Sequence, residues 1–144
     1  MSLEENKAII RRLMEAVYEQ KLAVLDELVA SDFTEPNLKL KGLESMKQTV
    51  TTLLKGFPDL DVTIEDIIAE GDKVCDRVTA TGTHTGEFHG IAPTGKKITF
   101  TGIRIWHIID GKVIERTSVY DFLDLYKKLG VIDYKGFPDG KPLY

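Results

Sequence analysis

The chain has 144 residues, 42% of them hydrophobic and 29% charged, with a formal net charge of −4 at pH 7; that length suits one domain and that composition an ordinary globular protein. An acidic balance without clustered Lys and Arg argues against a nucleic-acid or anionic-membrane partner. The single cysteine, Cys75, cannot close an internal disulfide, no apolar run approaches the roughly 18 residues of a spanning helix, and no secretory pattern opens the chain, so one cytoplasmic domain over residues 1–144 is expected.

Residues 3–20 place Ile10, Leu13, Met14 and Val17 on one helical face. Ser2 followed by Glu5 reads as a capping box that satisfies the first free amides. Leu22, Leu25, Leu28 and Val29 repeat the spacing in a second, short helix. After an irregular or strand-like "DFTEPN", a third helix puts Leu43, Met46, Val50, Leu53 and Leu54 on one face, and Gly56 with Pro58 beyond it ends the run.

The period then changes. "DVTIEDIIAE", "KVCDRVTATGTH", "KITFTGIRIWHII" and "KVIERTSVY" are rich in Val, Ile and Thr, as strands are. "EGD" at 70–72 and Asp110-Gly111 are tight hairpin signals. A last helix carries Phe122, Leu125, Tyr126 and Leu129, with Gly130 at its end. Three helices followed by long antiparallel strands predict an α+β fold with helices on one face of a curved sheet. The Gly- and Pro-punctuated tail, 131–144, reads as ordered coil packed on its own domain or on a partner.

The stretches "GFPDLDVTIEDIIAEGDKV", "RVTATGTHTGEFHGIAPTGKKITFTGI", "IIDGKVIE" and "KKLG" together resemble the SnoaL-like polyketide cyclase family of the nuclear transport factor 2-like superfamily. The resemblance covers nearly the whole chain. It implies a cone-shaped α+β barrel, cystatin-like, in which a curved antiparallel sheet and three N-terminal helices enclose an apolar pocket. It also implies intramolecular aldol ring closure without metal or organic cofactor, run by an acidic residue with a histidine nearby. Counted outward from "DGKV", the family's acid falls on Ser118 and its histidine on Arg104, so this chain departs from the pattern at both positions. A serine has no base function near neutral pH without a partner, and an arginine is never deprotonated. The Asp-Arg-Asp constellation of epoxide hydrolases sharing this fold needs carboxylates beside Arg104, where Gly102 and Trp106 stand.

The hairpin at Asp110-Gly111 decides which side chains share a face. A two-residue loop pairs Ile109 with Lys112 and sets His107 beside Ile114, Arg116 and Ser118. A three-residue loop with a glycine bulge pairs Ile108 with Lys112 and sets Arg104 and Trp106 there instead. The resembling family's usual hairpin favours the second, giving one face with Arg104, Trp106, Arg116, Ser118 and Tyr120. Facing guanidinium groups suit a ligand carboxylate or enolate; the competing reading pairs each arginine with an acidic neighbour such as Glu115 or Asp76 at the rim.

Asp121 stands directly before the apolar stripe of the last helix and three residues before Asp124, which reads as an N-cap and not as a catalytic acid. His84, Glu87 and His89 fit no standard zinc spacing, so no metal site is expected, and His89 is read as lining the pocket mouth. Trp106, Tyr18, Phe33, Phe57 and Tyr120 are core or pocket wall, and Cys75 a small buried hydrophobe.

Two functional readings stay open. One is a cofactor-independent cyclase or isomerase-type enzyme acting on a small apolar carbonyl or polyketide-like compound through altered acid/base residues. The other is a non-catalytic ligand-binding or dimerisation module of the same fold. In either case a bare convex sheet face carrying threonines and apolar residues predicts a homodimer or a larger homo-oligomer.

Overall fold

The computed structural model describes residues 1–133 and 136–141. Helix α1, Leu3–Tyr18, starts at the expected capping box: the Glu5 amide donates to Ser2 Oγ at 3.1 Å and the Ser2 amide to Glu5 Oε2 at 3.4 Å. It ends two residues short of the predicted limit, where Gln20 turns left-handed (φ 56°). The second helix shrinks to a 3₁₀ turn, Leu22–Val24, and one α-turn, α2, Leu25–Leu28. Val29 goes instead to strand β1, Val29–Glu35, which resolves the "DFTEPN" ambiguity in favour of a strand. Strand β2 is Leu40–Lys41, and helix α3 is Leu43–Gly56.

Four long strands follow, β3 Asp61–Glu70, β4 Lys73–Thr83, β5 Lys97–Ile109 and β6 Lys112–Tyr120, then helix α4, Phe122–Lys128. With β1 and β2 the four strands form one curved six-stranded sheet in the order β2-β1-β6-β5-β4-β3 that does not close on itself. The meander from β3 to β6 is antiparallel as expected, but β1 lies parallel to β6. The α3–β3–β4–β5 excursion between them is long enough for a parallel crossover, which no short turn could make.

The hairpin at Asp110-Gly111 combines the two alternatives. Its loop has two residues, with Asp110 at φ 49° and Gly111 at φ 77°, the paired positive angles of a tight hairpin turn. It pairs Ile109 with Lys112 and Ile108 with Val113, and a bulge at Ile114 then shifts the register so that His107 meets Glu115 and Trp106 meets Arg116. The bulge restores the face that the three-residue loop would have produced, with Gly102, Arg104 and Trp106 opposite Tyr120, Ser118 and Arg116.

Alternation along β5 is strict. Ile98, Phe100, Gly102, Arg104, Trp106 and Ile108 point to the helix-covered face. Two apolar clusters fill that face. Trp106, Ile108, Val74 and Val113 join α1, α2, Phe33, Leu43 and Met46 in one; Ile98 and Phe100 join Phe57, Leu60, Ala80, Phe88, Leu125 and Leu129 in the other. Gly102 and Arg104 therefore occupy the seam between two apolar clusters. Half-buried side chains border the clusters, with Tyr18, Val50 and Ile64 packed on the first and Leu54, Val62 and Tyr120 on the second. On the opposite face Ile68, Ile103, Ile105 and Val119 are exposed. Among the described residues no helix is long and apolar enough to cross a membrane. The tail reading falls partly on residues 134, 135 and 142–144, outside the described residues; within them Val131, Ile132 and Phe137 are exposed.

Candidate functional site

Register brings a carboxylate to Arg104 from the neighbouring strand. Asp76 on β4 is the cross-strand partner of Arg104 on β5, which in turn faces Ser118 on β6. The Arg104 guanidinium donates from Nε to Asp76 Oδ1 at 2.9 Å and from Nη2 to Oδ2, and Trp106 Nε1 donates to Oδ1 at 3.1 Å. Asp76 is 1% exposed and Arg104 3%. Burial works against the Arg104 charge, yet the hydrogen-bonded Asp76 and the adjacent Tyr120 outweigh it and raise the guanidinium pKa further.

Trp106 is flanked by both arginines, with Arg104 Cζ 4.9 Å and Arg116 Cζ 5.2 Å from its ring centroid. Arg116 does not pair with Glu115; its Nε donates to Glu35 Oε2 at 2.9 Å. Glu35, at the end of β1, is fully buried and also accepts from Ser118 Oγ at 3.0 Å, the Ser118 amide at 3.3 Å and the Asn37 amide at 3.2 Å. Ser118 thus has a carboxylate partner that "DFTEPN" did not reveal. Its one signal was an acidic residue two places after Phe33, at the inward parity of a strand that the pattern left uncertain.

Each guanidinium group thus has a carboxylate partner: Arg104 and Asp76 are both buried, while Arg116 is half-buried against the buried Glu35. The carboxylates differ in what remains of them. Among the described residues Glu35 receives four donors, filling the about four acceptor sites of a carboxylate, whereas Asp76 receives three, from Arg104 and Trp106, which leaves one. Glu35 is an anchor. Asp76 is the carboxylate with acceptor capacity left at the seam.

Two phenols complete the tier. The Tyr18 hydroxyl donates to the Val62 carbonyl at 2.9 Å, and burial raises its pKa despite the opposing Arg104 charge, so it stays protonated. The Tyr120 ring lies over Gly102, 6.2 Å from Phe100 and 5.4 Å from Phe122 between centroids. Of the pocket-wall expectations, Arg104, Trp106, Arg116, Ser118, Tyr120 and Tyr18 gather around this seam. His89 lies on an exposed left-handed turn (φ 48°) with its ring edge-on to Phe88.

The remaining candidates separate. His84 is buried, its Nδ1 accepting from the Thr94 amide at 3.2 Å, while Glu87 pairs with Lys55 on the surface. Among the described residues no three His, Cys, Asp or Glu side chains come together as metal ligands would. Asp121 Oδ1 accepts from the Asp124 amide at 3.1 Å, the N-cap bond of α4. Cys75 is half-buried on the outer face rather than in the core, its thiol pKa pushed up by burial and by Asp76.

The chain and its fold have counterparts among known proteins. Residues 7–129 match the family model described as SnoaL-like polyketide cyclase. The chain belongs to that family. Over 134 residues it is 28% identical to the aklanonic acid methyl ester cyclase AcmA of Streptomyces galilaeus, covering 89% of this chain and 92% of that one. Among solved structures it is similar to AclR, a proposed hydroxylase from Streptomyces galilaeus, with TM-score 0.82, 30% identity, and 92% and 100% of the two chains covered. A second similar structure is that of a proposed polyketide cyclase from Bacillus cereus, with TM-score 0.76, 31% identity and coverage of 90% of this chain and 83% of that one. This SnoaL-like chain carries the family fold, and the two buried carboxylates on its helix-covered face, Glu35 and Asp76, come from β1 and β4.

Proposed function

We propose that this SnoaL-like protein binds an uncharged polyketide-like carbonyl compound at the seam and closes a ring in it by an intramolecular aldol step. The single observation carrying this reading is the Asp76–Arg104 pair, buried on the helix-covered face between two apolar clusters, with acceptor capacity left on Asp76. Apolar walls take the carbon skeleton and fix its fold, which is an orientation effect. A carbon between carbonyls gives its proton to Asp76; the enolate carbon attacks the second carbonyl, forming the C–C bond. The proton then passes to the new alkoxide, leaving an isomer of the starting compound. Arg104 and the Tyr120 hydroxyl stabilise the oxygen on which charge gathers. The reading needs a neutral ligand because Arg104 and Arg116 already have their counter-ions.

The test is incubation with aklanonic acid methyl ester, the compound that the AcmA name specifies, followed by chromatography for a product of unchanged mass. Wild type converts it, and Asp76→Asn loses roughly 10²-fold or more of the rate while retaining its circular dichroism. Binding of the ester without conversion would favour the non-catalytic ligand-binding reading instead.

We propose further that the outer face pairs with a second copy of the chain. Ile68, Cys75, Ile105 and Thr117 follow one another across β3, β4, β5 and β6 as an uncharged row. In the adjoining row Asp66 and Arg77 neutralise each other at 2.7 Å. A self-complementary two-fold contact needs such a patch, free of unmatched charge. Light scattering showing a monomer alone at micromolar concentration would contradict it.

A further inference from the structure

We infer that Gly102 and Tyr120 together set the depth of the ligand site and so its preference for ligand size; the inference rests on the seam being that site. Along the inward face of β5 every position from Ile98 to Ile108 carries a substantial side chain except Gly102. A Cβ built there would lie 2.3 Å from Tyr120 Cδ1 and 2.7 Å from Cε1, closer than real atoms approach. The Tyr120 ring, supplied by the paired position on β6, therefore rests directly on the bare strand. It fills the volume that a side chain at 102 would have filled.

That ring is half-buried and stands at a boundary. On one side lie Phe100 and Phe122; on the other its hydroxyl neighbours Arg104. Gly102 itself contributes nothing above the backbone. On the β5–β6 ladder at this level, between the aromatic wall and the Arg104 tier, the side chain presented is the Tyr120 ring. Deleting it would expose strand backbone and deepen the site by about one aromatic ring, because nothing on β5 would take its place. A side chain regrown from position 102 in that background would fill the same seat from the opposite strand.

The experiment titrates the fluorescence of Trp106, the sole tryptophan, with 1-tetralone (two fused rings) and anthrone (three) for wild type, Tyr120→Ala, Tyr120→Leu and the double variant Gly102→Leu/Tyr120→Ala. The expected result is an affinity ratio shifted about tenfold toward anthrone in Tyr120→Ala, a smaller shift in Tyr120→Leu, and return toward the wild-type ratio in the double variant. If Tyr120→Ala fails to fold, the Tyr120→Leu shift carries the same comparison. A wild type that binds both ketones while the variants leave the ratio unchanged would overturn the inference alone. A wild type that binds neither would overturn the ligand site itself, and the inference with it.

Discussion

Arg104 holds Asp76 with two nitrogens across the β4–β5 ladder, Nε at 2.9 Å from Oδ1 and Nη2 on Oδ2, in a site from which water is almost fully excluded. A buried pair of this kind is weak evidence of stability in itself, but removing one partner leaves a charge with no counter-ion. Asp76→Ala should therefore destabilise the fold by about 3–5 kcal/mol in urea denaturation. The double change Asp76→Leu/Arg104→Met should be less destabilised than Asp76→Ala alone. A double variant worse than the single one would show that the pair contributes net stability.

Ser118→Asp would put a second carboxylate beside Glu35. In this chain Arg104 is already engaged by Asp76, and the nearest ionisable neighbour of residue 118 is Glu35, whose Oε2 lies 3.0 Å from Ser118 Oγ. Two carboxylates at that spacing cannot both stay ionised, so the pair should share a proton with one pKa raised. A carboxyl group whose folded pKa is raised contributes stability below its unfolded pKa of about 4 and loses it as pH rises through the folded value. The variant should then be most stable in mild acid and weaken toward neutrality, the reverse of ordinary acid denaturation. Melting curves between pH 4 and 8 decide it.

Tyr18 gives an alkaline counterpart. Its pKa is raised above the ordinary 10.0, chiefly by burial. Stability linked to it is present below that ordinary value and declines above it, because the unfolded chain ionises the phenol first. Tyr18→Phe removes the bond to Val62, so it should cost about 1 kcal/mol at neutral pH and make the loss of stability above pH ~10 shallower.

Asp121→Ala should cost about 1 kcal/mol through loss of the cap bond to the Asp124 amide and leave ligand affinity unchanged. Unaltered melting with lost activity would move Asp121 from helix cap to chemistry.

The strands were legible because they are rich in Val, Ile and Thr and, in β4 and β5, inward and outward residues alternate: the bounds of the four long ones agree with the sequence pattern to within one residue. Ser2, Asp121 and Gly130 marked helix ends for the same kind of local reason. What the sequence hid was non-local. The parallel seating of β1 on β6 depends on contacts some 80 residues apart, and Glu35 acquires its role only through that pairing with Arg116 and Ser118. Asp76 was legible as a partner for Arg104, but a charged residue inside "KVCDRV" gives no sign that it is buried with three donors. The bulge at Ile114 left no mark in composition, and the face it produces depends on it.

The most direct measurement of the central claim, a ligand site whose arginines are already neutralised, is a Trp106 fluorescence titration comparing aklanonic acid methyl ester with the free acid. The account predicts that the neutral ester binds at least tenfold more tightly, since a ligand carboxylate would enter a buried site with no unmatched cation and lose its hydration. Tighter binding of the acid would contradict it, because one of the two arginines would then have to leave Asp76 or Glu35 to receive the charge.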